Sequence, residues 1–169
     1  PNHKVENAIG VMKAYSTCVG EGPFTAEMFG DEAEELRKAG GEYGAATGRP
    51  RRVGGFDVVA SKYGCMVQGA NEIALTKLDI LDSMAKIPVC VSYDVNGKTV
   101  DEFPSGEALN IAKPNVVYLD GWNESTVNCR KFEDLPLNAQ KYIEFIEKAV
   151  DCKIKYISVG AERDAIIVR

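Results

Sequence analysis

The sequence lacks long hydrophobic runs, paired-cysteine motifs and any charged-then-apolar N-terminal pattern typical of a signal peptide. No apolar stretch approaches the roughly 20 residues that a membrane-spanning helix needs. An odd number of scattered cysteines, without Cys-x-x-Cys or metal-like spacing, argues against a secreted disulfide framework. They are Cys18, Cys65, Cys90, Cys129 and Cys152. We therefore expect a cytoplasmic protein with no membrane partner.

The sequence also has no excess of positive charge. The net charge of -5 gives no general attraction for nucleic acid, so an anionic ligand must meet locally placed basic groups. Arg49, Arg51 and Arg52 form one such place. His3 is the only histidine and has no nucleophile or metal-ligand pattern beside it. We therefore expect no catalytic residue and no metal ligand in this chain.

The residues that are present have the composition of a globular domain. With 169 residues, 45% of them hydrophobic and 27% charged, the chain is long enough for one compact unit spanning residues 1–169. Because it begins at Pro1 rather than at a methionine, we expect it to be a piece of a longer protein.

Apolar periodicity predicts helices interleaved with strands. Asp31 is expected to cap the first helix and Asp134 the last, and Asn96-Gly97 predicts a tight hairpin turn. The predicted helices are 31–39, 56–67 and the segment after Pro136, and the predicted strands are 8–15, 73–81 with its exit, 89–95, 99–103, 115–119, 154–159 and 165–168. This order indicates an α/β fold with a mixed, mostly parallel sheet, flanking helices and a β-hairpin.

Lys77 and Asp79 follow an apolar strand-like run, Ile73-Ala74-Leu75-Thr76. Residues two apart in a strand point to the same side, so these two side chains would face one pocket at a strand end. An ionised Asp79 can accept two hydrogen bonds from guanine that adenine cannot supply, while the Lys77 stem lies across the base and its ammonium stays solvated. A solvated lysine and aspartate at a strand end would give the same pattern.

Residues 44–52 are glycine- and arginine-rich and lack apolar periodicity, which indicates a loop. Thr47 supplies a hydroxyl, Gly48 permits close approach of a ligand, and Arg49 and Arg51 supply planar guanidinium groups separated by Pro50. This combination suits carboxylate or phosphate recognition, although an exposed basic turn is the alternative. Ser158-Val159-Gly160 ends another predicted strand and offers a second wall for a base.

Four segments in this order and spacing resemble the C-terminal part of the adenylosuccinate synthetase family: residues 11–24, 44–52, 75–82 and 158–163. The resemblance is close to collinear over the whole chain, and it extends to residues 135–140 and the helix they begin. It implies a GTP-dependent ligase that joins IMP and L-aspartate in the AMP branch of purine biosynthesis. It also implies Mg²⁺, a homodimer, and a larger P-loop-like GTP-binding fold of which this chain is the C-terminal portion.

The same resemblance assigns roles to residues of this chain. The aspartate-binding loop would comprise Ala45, Ala46, Thr47, Gly48, Arg49, Pro50 and Arg51. IMP would contact Val19 through its backbone, and also Arg49. GTP would contact Arg51, Lys77, Leu78, Asp79, Ser158, Val159 and Gly160.

Two positions depart from the family pattern. Cys18 stands where an arginine is common, and Ala46 where a second threonine is common. The first departure puts in doubt a basic group near the nucleotide, and the second removes a hydroxyl from the aspartate loop.

The family's phosphate loop, general base, general acid and most Mg²⁺ and IMP contacts lie in its N-terminal half, outside this chain. We therefore expect the isolated chain to be inactive, because phosphoryl transfer depends on a phosphate cradle and a metal. A non-catalytic guanine-nucleotide-binding module is the alternative function. A structural domain with incidental loops is a third.

Overall fold

The computed structural model describes residues 5–169, so His3 lies outside the described residues. Helices and strands are interleaved as expected for an α/β fold. In chain order they are β1 (Ile9–Lys13), β2 (Ser16–Cys18), α1 (Gly30–Gly40), β3 (Arg52–Gly54), β4 (Phe56–Asp57), α2 (Val58–Gln68), β5 (Glu72–Thr76), β6 (Lys86–Val95), β7 (Lys98–Val100), α3 (Glu107–Ile111), β8 (Lys113–Asp120), α4 (Leu137–Val150), β9 (Lys153–Ser158) and β10 (Ile166–Val168). Short 3₁₀ turns span Leu78–Leu81 and Phe132–Asp134.

The first sheet has the strand order β1-β5-β9-β10. Its first three strands are parallel, and β10 runs antiparallel to β9. Ile73 and Leu75 of β5, with Ile154 and Ile157 of β9, are fully buried, as expected for the middle strands of a covered sheet. This sheet therefore brings the carboxyl ends of three parallel strands to one edge.

Two further sheets make the architecture more antiparallel than the sequence predicts. β2 pairs with β3 antiparallel, whereas β6 pairs parallel with β4 and antiparallel with both β7 and β8. Among the described residues, four strand pairings are antiparallel and three are parallel. The prediction of a mixed sheet with flanking helices and a hairpin is confirmed, but the prediction that it is mostly parallel is wrong. The antiparallel character comes largely from β6, a ten-residue strand. After β6 the chain turns tightly and runs back antiparallel along it.

That turn is the predicted hairpin. Asn96 and Gly97 both have positive φ, 56° and 79°, which is the backbone that a two-residue turn of this hand requires. Asp94 accepts a hydrogen bond from the Gly97 amide at 3.1 Å. Local turn chemistry therefore sets the register between β6 and β7.

The helices lie where the periodicity predicts, but two predicted caps are wrong. α1 begins after Phe29, and Asp31 lies inside its first turn without capping it. α4 begins after Pro136. The Asp134 carboxylate instead accepts hydrogen bonds from the backbone amides of Arg130 and Lys131, just before the 3₁₀ turn. In each case the observed N-cap residue, Phe29 or Pro136, lies two positions away from the expected cap.

α4 buries one face against α2 and the first sheet. The buried side chains of this face are Ala139, Tyr142, Ile143, Ile146 and Val150. Tyr142 donates a hydrogen bond to the carbonyl oxygen of Ala14, just beyond β1, at 2.5 Å. This contact ties the helix to the strand end that borders the candidate site. Over residues 5–169, no helix is both long and apolar enough to cross a membrane.

Candidate functional site

The carboxyl ends of β1, β5 and β9 meet at one edge of the first sheet. Lys13 lies beside Thr76, and Leu75 lies beside Ile157, so the chain leaves all three strands at the same level. Ligands of open α/β sheets bind outside such strand ends. This edge is therefore where the predicted Lys77, Asp79 and Ser158 segments come together.

The strand that precedes Lys77 ends before it reaches that residue. Lys77 and Asp79 are therefore not alternate residues of one strand. β5 stops at Thr76, Lys77 has φ 60° in the left-handed region, and Asp79 lies in the following 3₁₀ turn. The expectation that Lys77 and Asp79 share one side of a strand is therefore wrong. A tight turn, rather than strand alternation, sets the directions of the two side chains.

The Lys77 ammonium is also not solvated as expected. It donates to the Gly40 carbonyl oxygen at 2.7 Å and to Glu42 Oε1 at 2.9 Å. Its side chain is nevertheless about one-third exposed. The ammonium group is thus held in place, while part of the side chain remains exposed to solvent.

Glu42 is the centre of the site, and its side chain is fully buried. Oε1 accepts from the Lys13 and Lys77 ammonium groups, each at 2.9 Å, and from the Tyr15 hydroxyl at 2.6 Å. Oε2 accepts from the Arg51 guanidinium at 3.1 Å. One carboxylate therefore meets three cationic side chains, which leaves this group of four charges with a positive excess that suits an anionic ligand.

The protonation of Glu42 follows from these contacts. Burial disfavours the charged carboxylate, but hydrogen bonds from Lys77, Tyr15 and Lys13 outweigh burial and lower the pKa of Glu42 to about 2. Burial, together with the neighbouring Glu42 carboxylate, raises the pKa of Tyr15 well above its usual value. Glu42 is therefore ionised at neutral pH, and Tyr15 remains a neutral hydrogen-bond donor.

The arginine-rich segment is a compact loop anchored at its base. The Gly48 amide donates to the Gly44 carbonyl and the Gly44 amide to the Arg49 carbonyl, each at 2.8 Å. The Arg51 amide donates to the Glu42 carbonyl at 2.9 Å. Gly48 has φ 63°, which explains why a glycine stands at this point of the loop.

The side chains of this loop are available to solvent. The Thr47 hydroxyl accepts a hydrogen bond from the Arg49 amide at 3.3 Å, and both residues are exposed. Ala45, Ala46 and Pro50 are exposed as well. The sequence prediction of a loop is confirmed. Beyond the anchored Arg51, the loop presents the Thr47 hydroxyl and the Arg49 guanidinium, which has no partner among residues 5–169.

Unlike Arg49 and Arg51, Arg52 binds the loop that follows β2. It binds Glu27 through two nitrogens, at 2.9 and 2.5 Å, and donates to the carbonyl oxygens of Gly20 and Gly22. It therefore holds the loop after β2 in place. Val19, at the start of that loop, is exposed, as backbone contact with a ligand requires.

Asp79 accepts no hydrogen bond from another side chain in the described part of the chain. Burial raises the pKa of Asp79 above its ordinary value, the nearby Asp82 carboxylate adds to the rise, and Lys77 opposes it. A half-buried carboxylate without a side-chain partner is free to accept hydrogen bonds from a ligand. Its neighbour Leu78 is fully buried, backbone included.

The segment after β9, where the sequence predicts a second wall for a base, lies at the same sheet edge. The Ser158 hydroxyl donates to the Gly160 carbonyl at 3.0 Å, and the Val159 amide donates to the Ala165 carbonyl at 2.9 Å. The Val159 side chain is fully buried. Ser158 and Gly160 are partly exposed at this edge, whereas Val159 is buried, backbone included.

The Mg²⁺ that the resemblance implies has no donor set in the described residues. In residues 5–169, no group of three or more His, Cys, Asp or Glu side chains is placed to hold a metal ion. The carboxylates at this edge do not fit such a site either, because Glu42 is saturated with cationic partners. No metal-dependent step is assigned to these residues.

Reasoning from the sequence missed the residues at the centre of the site. Glu42, Lys13 and Tyr15 were not expected to take part, although Glu42 lies only two residues before the predicted loop at Gly44. The one available signal was a charged residue at the end of a predicted element, since Lys13 ends β1 and Glu42 follows α1. That signal is weak, because charged residues at strand ends are ordinary.

Comparisons with known proteins give a consistent result. A family model described as adenylosuccinate synthetase matches residues 1–167. The adenylosuccinate synthetase of Bifidobacterium adolescentis is 47% identical over 97% of this chain and 39% of its own length. That of Thermodesulfovibrio yellowstonii is 46% identical over 98% and 39%.

Structural similarity agrees with the sequence matches. The fully ligated adenylosuccinate synthetase from Plasmodium falciparum superposes with a TM-score of 0.90 and 37% identity, covering 95% of this chain and 39% of that one. The present chain therefore spans about 39% of the length of the relatives it matches.

Proposed function

The chain belongs to the adenylosuccinate synthetase family, and on this premise we propose that it is part of a GTP-dependent ligase. The reaction would join IMP and L-aspartate to give adenylosuccinate, GDP and phosphate. The observation that carries the proposal is the meeting of the arginine loop and the Lys77 turn on one buried carboxylate, Glu42. It places the two predicted substrate-binding segments side by side at the edge formed by three strand ends.

The guanine base of GTP would be read by Asp79. Its carboxylate has no side-chain partner among the described residues and would accept from the ring N-H and the exocyclic amine of guanine. Lys77 would lie along the base through its exposed stem, since its ammonium is already bound to Gly40 and Glu42. Ser158 and Gly160 would border the same base, with the fully buried Leu78 and Val159 directly behind this surface.

L-aspartate would bind the loop formed by residues 45–51. The free guanidinium of Arg49 and the hydroxyl of Thr47 suit its carboxylates, and Arg49 together with the Val19 backbone would also contact IMP. Arg51 would face GTP while Glu42 fixes its direction. The exposed loop and its anchored base support this division of roles.

Residues 1–169 would form a single unit, the C-terminal portion of a larger P-loop-like GTP-binding fold. The phosphate loop, the general base and acid, and the Mg²⁺ ligands would lie in the rest of the protein, which would phosphorylate the IMP 6-oxygen and then let the aspartate amine displace phosphate. Mg²⁺ would there stabilise charge on the transferred phosphoryl group. The isolated chain would accordingly form no adenylosuccinate.

The protein would work in the cytoplasm as a homodimer. All five cysteines are free, and Cys65, Cys90, Cys129 and Cys152 are buried, which suits a reducing compartment. Burial raises the pKa of the Cys65 thiol to about 11 and that of Cys90 to about 12, so neither behaves as a nucleophile.

The decisive experiment exchanges the base-reading carboxylate in the full-length protein. Asp79→Asn should lower kcat/KM with GTP and raise it with xanthosine triphosphate, because the asparagine amide can donate a hydrogen bond to the C2 carbonyl of xanthine. A preference change of about two orders of magnitude or more is expected, since a lost charged partner leaves buried polar groups unpaired. The measurement is kcat/KM for adenylosuccinate formation with each nucleotide.

Asp101→Asn is the matched control, because Asp101 is exposed and lies next to the β7 hairpin strand. It should leave the nucleotide preference unchanged. An unchanged preference in Asp79→Asn would contradict the guanine assignment. A switch in the affinity for the two nucleotides, measured by direct binding to a protein without IMP- or aspartate-dependent turnover, would instead support a non-catalytic guanine-binding module.

A further inference from the structure

The two oxygens of Glu42 hold residues from two different segments of the candidate site. Oε1 accepts from Lys77, which follows β5, and Oε2 accepts from Arg51, at the end of the arginine loop. These residues are 35 and 9 positions away from Glu42 in the chain. A single rigid group therefore spans the boundary between the loop and the turn.

Glu42 differs from its partners in its exposure. Its own side chain is 1% exposed, whereas the side chains of Lys77 and Arg51 are each 36% exposed. The carboxylate is thus out of reach of ligands, and the two cations extend from it toward solvent. This arrangement fits a group that acts on ligands only through the residues it holds.

The Arg51 guanidinium is held incompletely. Its Nη1 binds Glu42, while its Nε is buried and has no partner among the described residues. Long cationic side chains lose considerable conformational freedom when they are fixed, so a prepositioned Arg51 has part of that entropy cost already met before a ligand arrives. The same applies to Lys77, whose ammonium is held by Glu42 and Gly40.

Building on the function proposed above, we propose that Glu42 is a positioning residue that couples the aspartate loop to the guanine-binding turn. Because one carboxylate orients both Arg51 and Lys77, a ligand that fixes one of them also fixes the carboxylate for the other. Binding of GTP and binding of L-aspartate are then interdependent. Coupling of this kind is reciprocal, so each ligand raises the affinity for the other by the same factor.

The test measures the KM for GTP at low and at saturating aspartate, and the converse, in the full-length protein. In the unaltered protein, saturating either ligand should lower the KM for the other at least threefold. Glu42→Gln keeps the shape but removes the charge, so both KM values should rise about tenfold and the interdependence should disappear, with kcat changing much less. Glu42→Asp, which restores the charge, should recover part of the interdependence.

Glu72→Gln is the matched control. Glu72 is also a carboxylate on the first sheet and binds Lys155 at 2.8 Å, but it lies at the opposite end of β5. It should leave both KM values and their interdependence unchanged. This comparison separates coupling from a general loss of stability.

Two results would overturn the inference while leaving the proposed function intact: an active unaltered protein in which the KM for GTP does not depend on aspartate, or a folded Glu42→Gln protein with unaltered KM values. The first needs no variant, so it decides the matter even if the variants fail to fold. Absence of any IMP- and aspartate-dependent GTP turnover in the unaltered protein would instead overturn the proposed function itself.

Discussion

Lowering the pH should destabilise this protein through Glu42. The hydrogen bonds from Lys77, Tyr15 and Lys13 outweigh the effect of burial and lower the pKa of the Glu42 carboxyl from 4.5 to about 2. A carboxyl whose pKa is lower in the folded state stabilises the fold above its unfolded pKa, and this contribution is lost as the pH falls through the folded pKa. The window for Glu42 is therefore between about pH 4.5 and pH 2.

The magnitude follows from the size of this shift. At roughly 1.36 kcal/mol per pKa unit, the shift corresponds to about 3 kcal/mol of stability at pH 7. The linkage relation leaves about 1.4 kcal/mol of it at pH 3, so about 2 kcal/mol is lost between pH 7 and pH 3. Solvent screening lowers this stability contribution only slightly, because the Glu42 side chain is 1% exposed.

The assay compares the free energy of unfolding of the protein and of its Glu42→Gln variant by urea titration at both pH values. Other carboxyl groups titrate equally in both proteins, so their contributions cancel in the difference. The advantage of the unaltered protein should shrink by about 2 kcal/mol between pH 7 and pH 3. A difference that stays constant within about 0.5 kcal/mol would refute the reasoning, because it would mean that Glu42 titrates equally in the folded and unfolded states.

Three other variants test the loop and the backbone. Arg49→Leu in the full-length protein should raise the KM for aspartate by about two orders of magnitude, because it removes the free guanidinium of the loop, and a normal aspartate dependence would exclude the loop from the site. Gly121→Ala should destabilise by about 3 kcal/mol or more, since its methyl group would overlap the Met84 carbonyl oxygen. Gly64→Ala, inside α2 with nothing within 4 Å, should instead stabilise by about 0.5–1 kcal/mol, and equal effects in a thermal or urea melt would contradict both expectations.

The elements predicted best are those specified by local chemistry. The hairpin at Asn96-Gly97 needs only two residues that accept positive φ, and α4 needs only its apolar stripe. By contrast, β2 and β3 were not predicted at all. Each has three residues, too few for an alternation pattern, and they exist because Thr17 and Val53 meet across the fold.

The candidate site likewise has features that could be predicted from the sequence and features that could not. The meeting of Lys77 and Ser158 at one sheet edge was predictable, because parallel strands bring their carboxyl ends to the same side. The left-handed backbone of Lys77 was not, since lysine has no preference for positive φ. Tertiary contacts outweigh that cost here: in this conformation the ammonium binds both Gly40 and Glu42.

Glu42 could not be identified from the sequence, because what distinguishes it is the surroundings that folding creates. Tyr15 and Lys13 are 27 and 29 positions away, and the pairing of β1 with β5 brings Lys13 next to the strand that leads to Lys77. A lone buried carboxylate would be strongly destabilising, so Glu42 can be buried only where these cations already converge. The ionised carboxylate therefore depends on the assembled sheet edge, and the orientation of the candidate binding residues depends on it in turn.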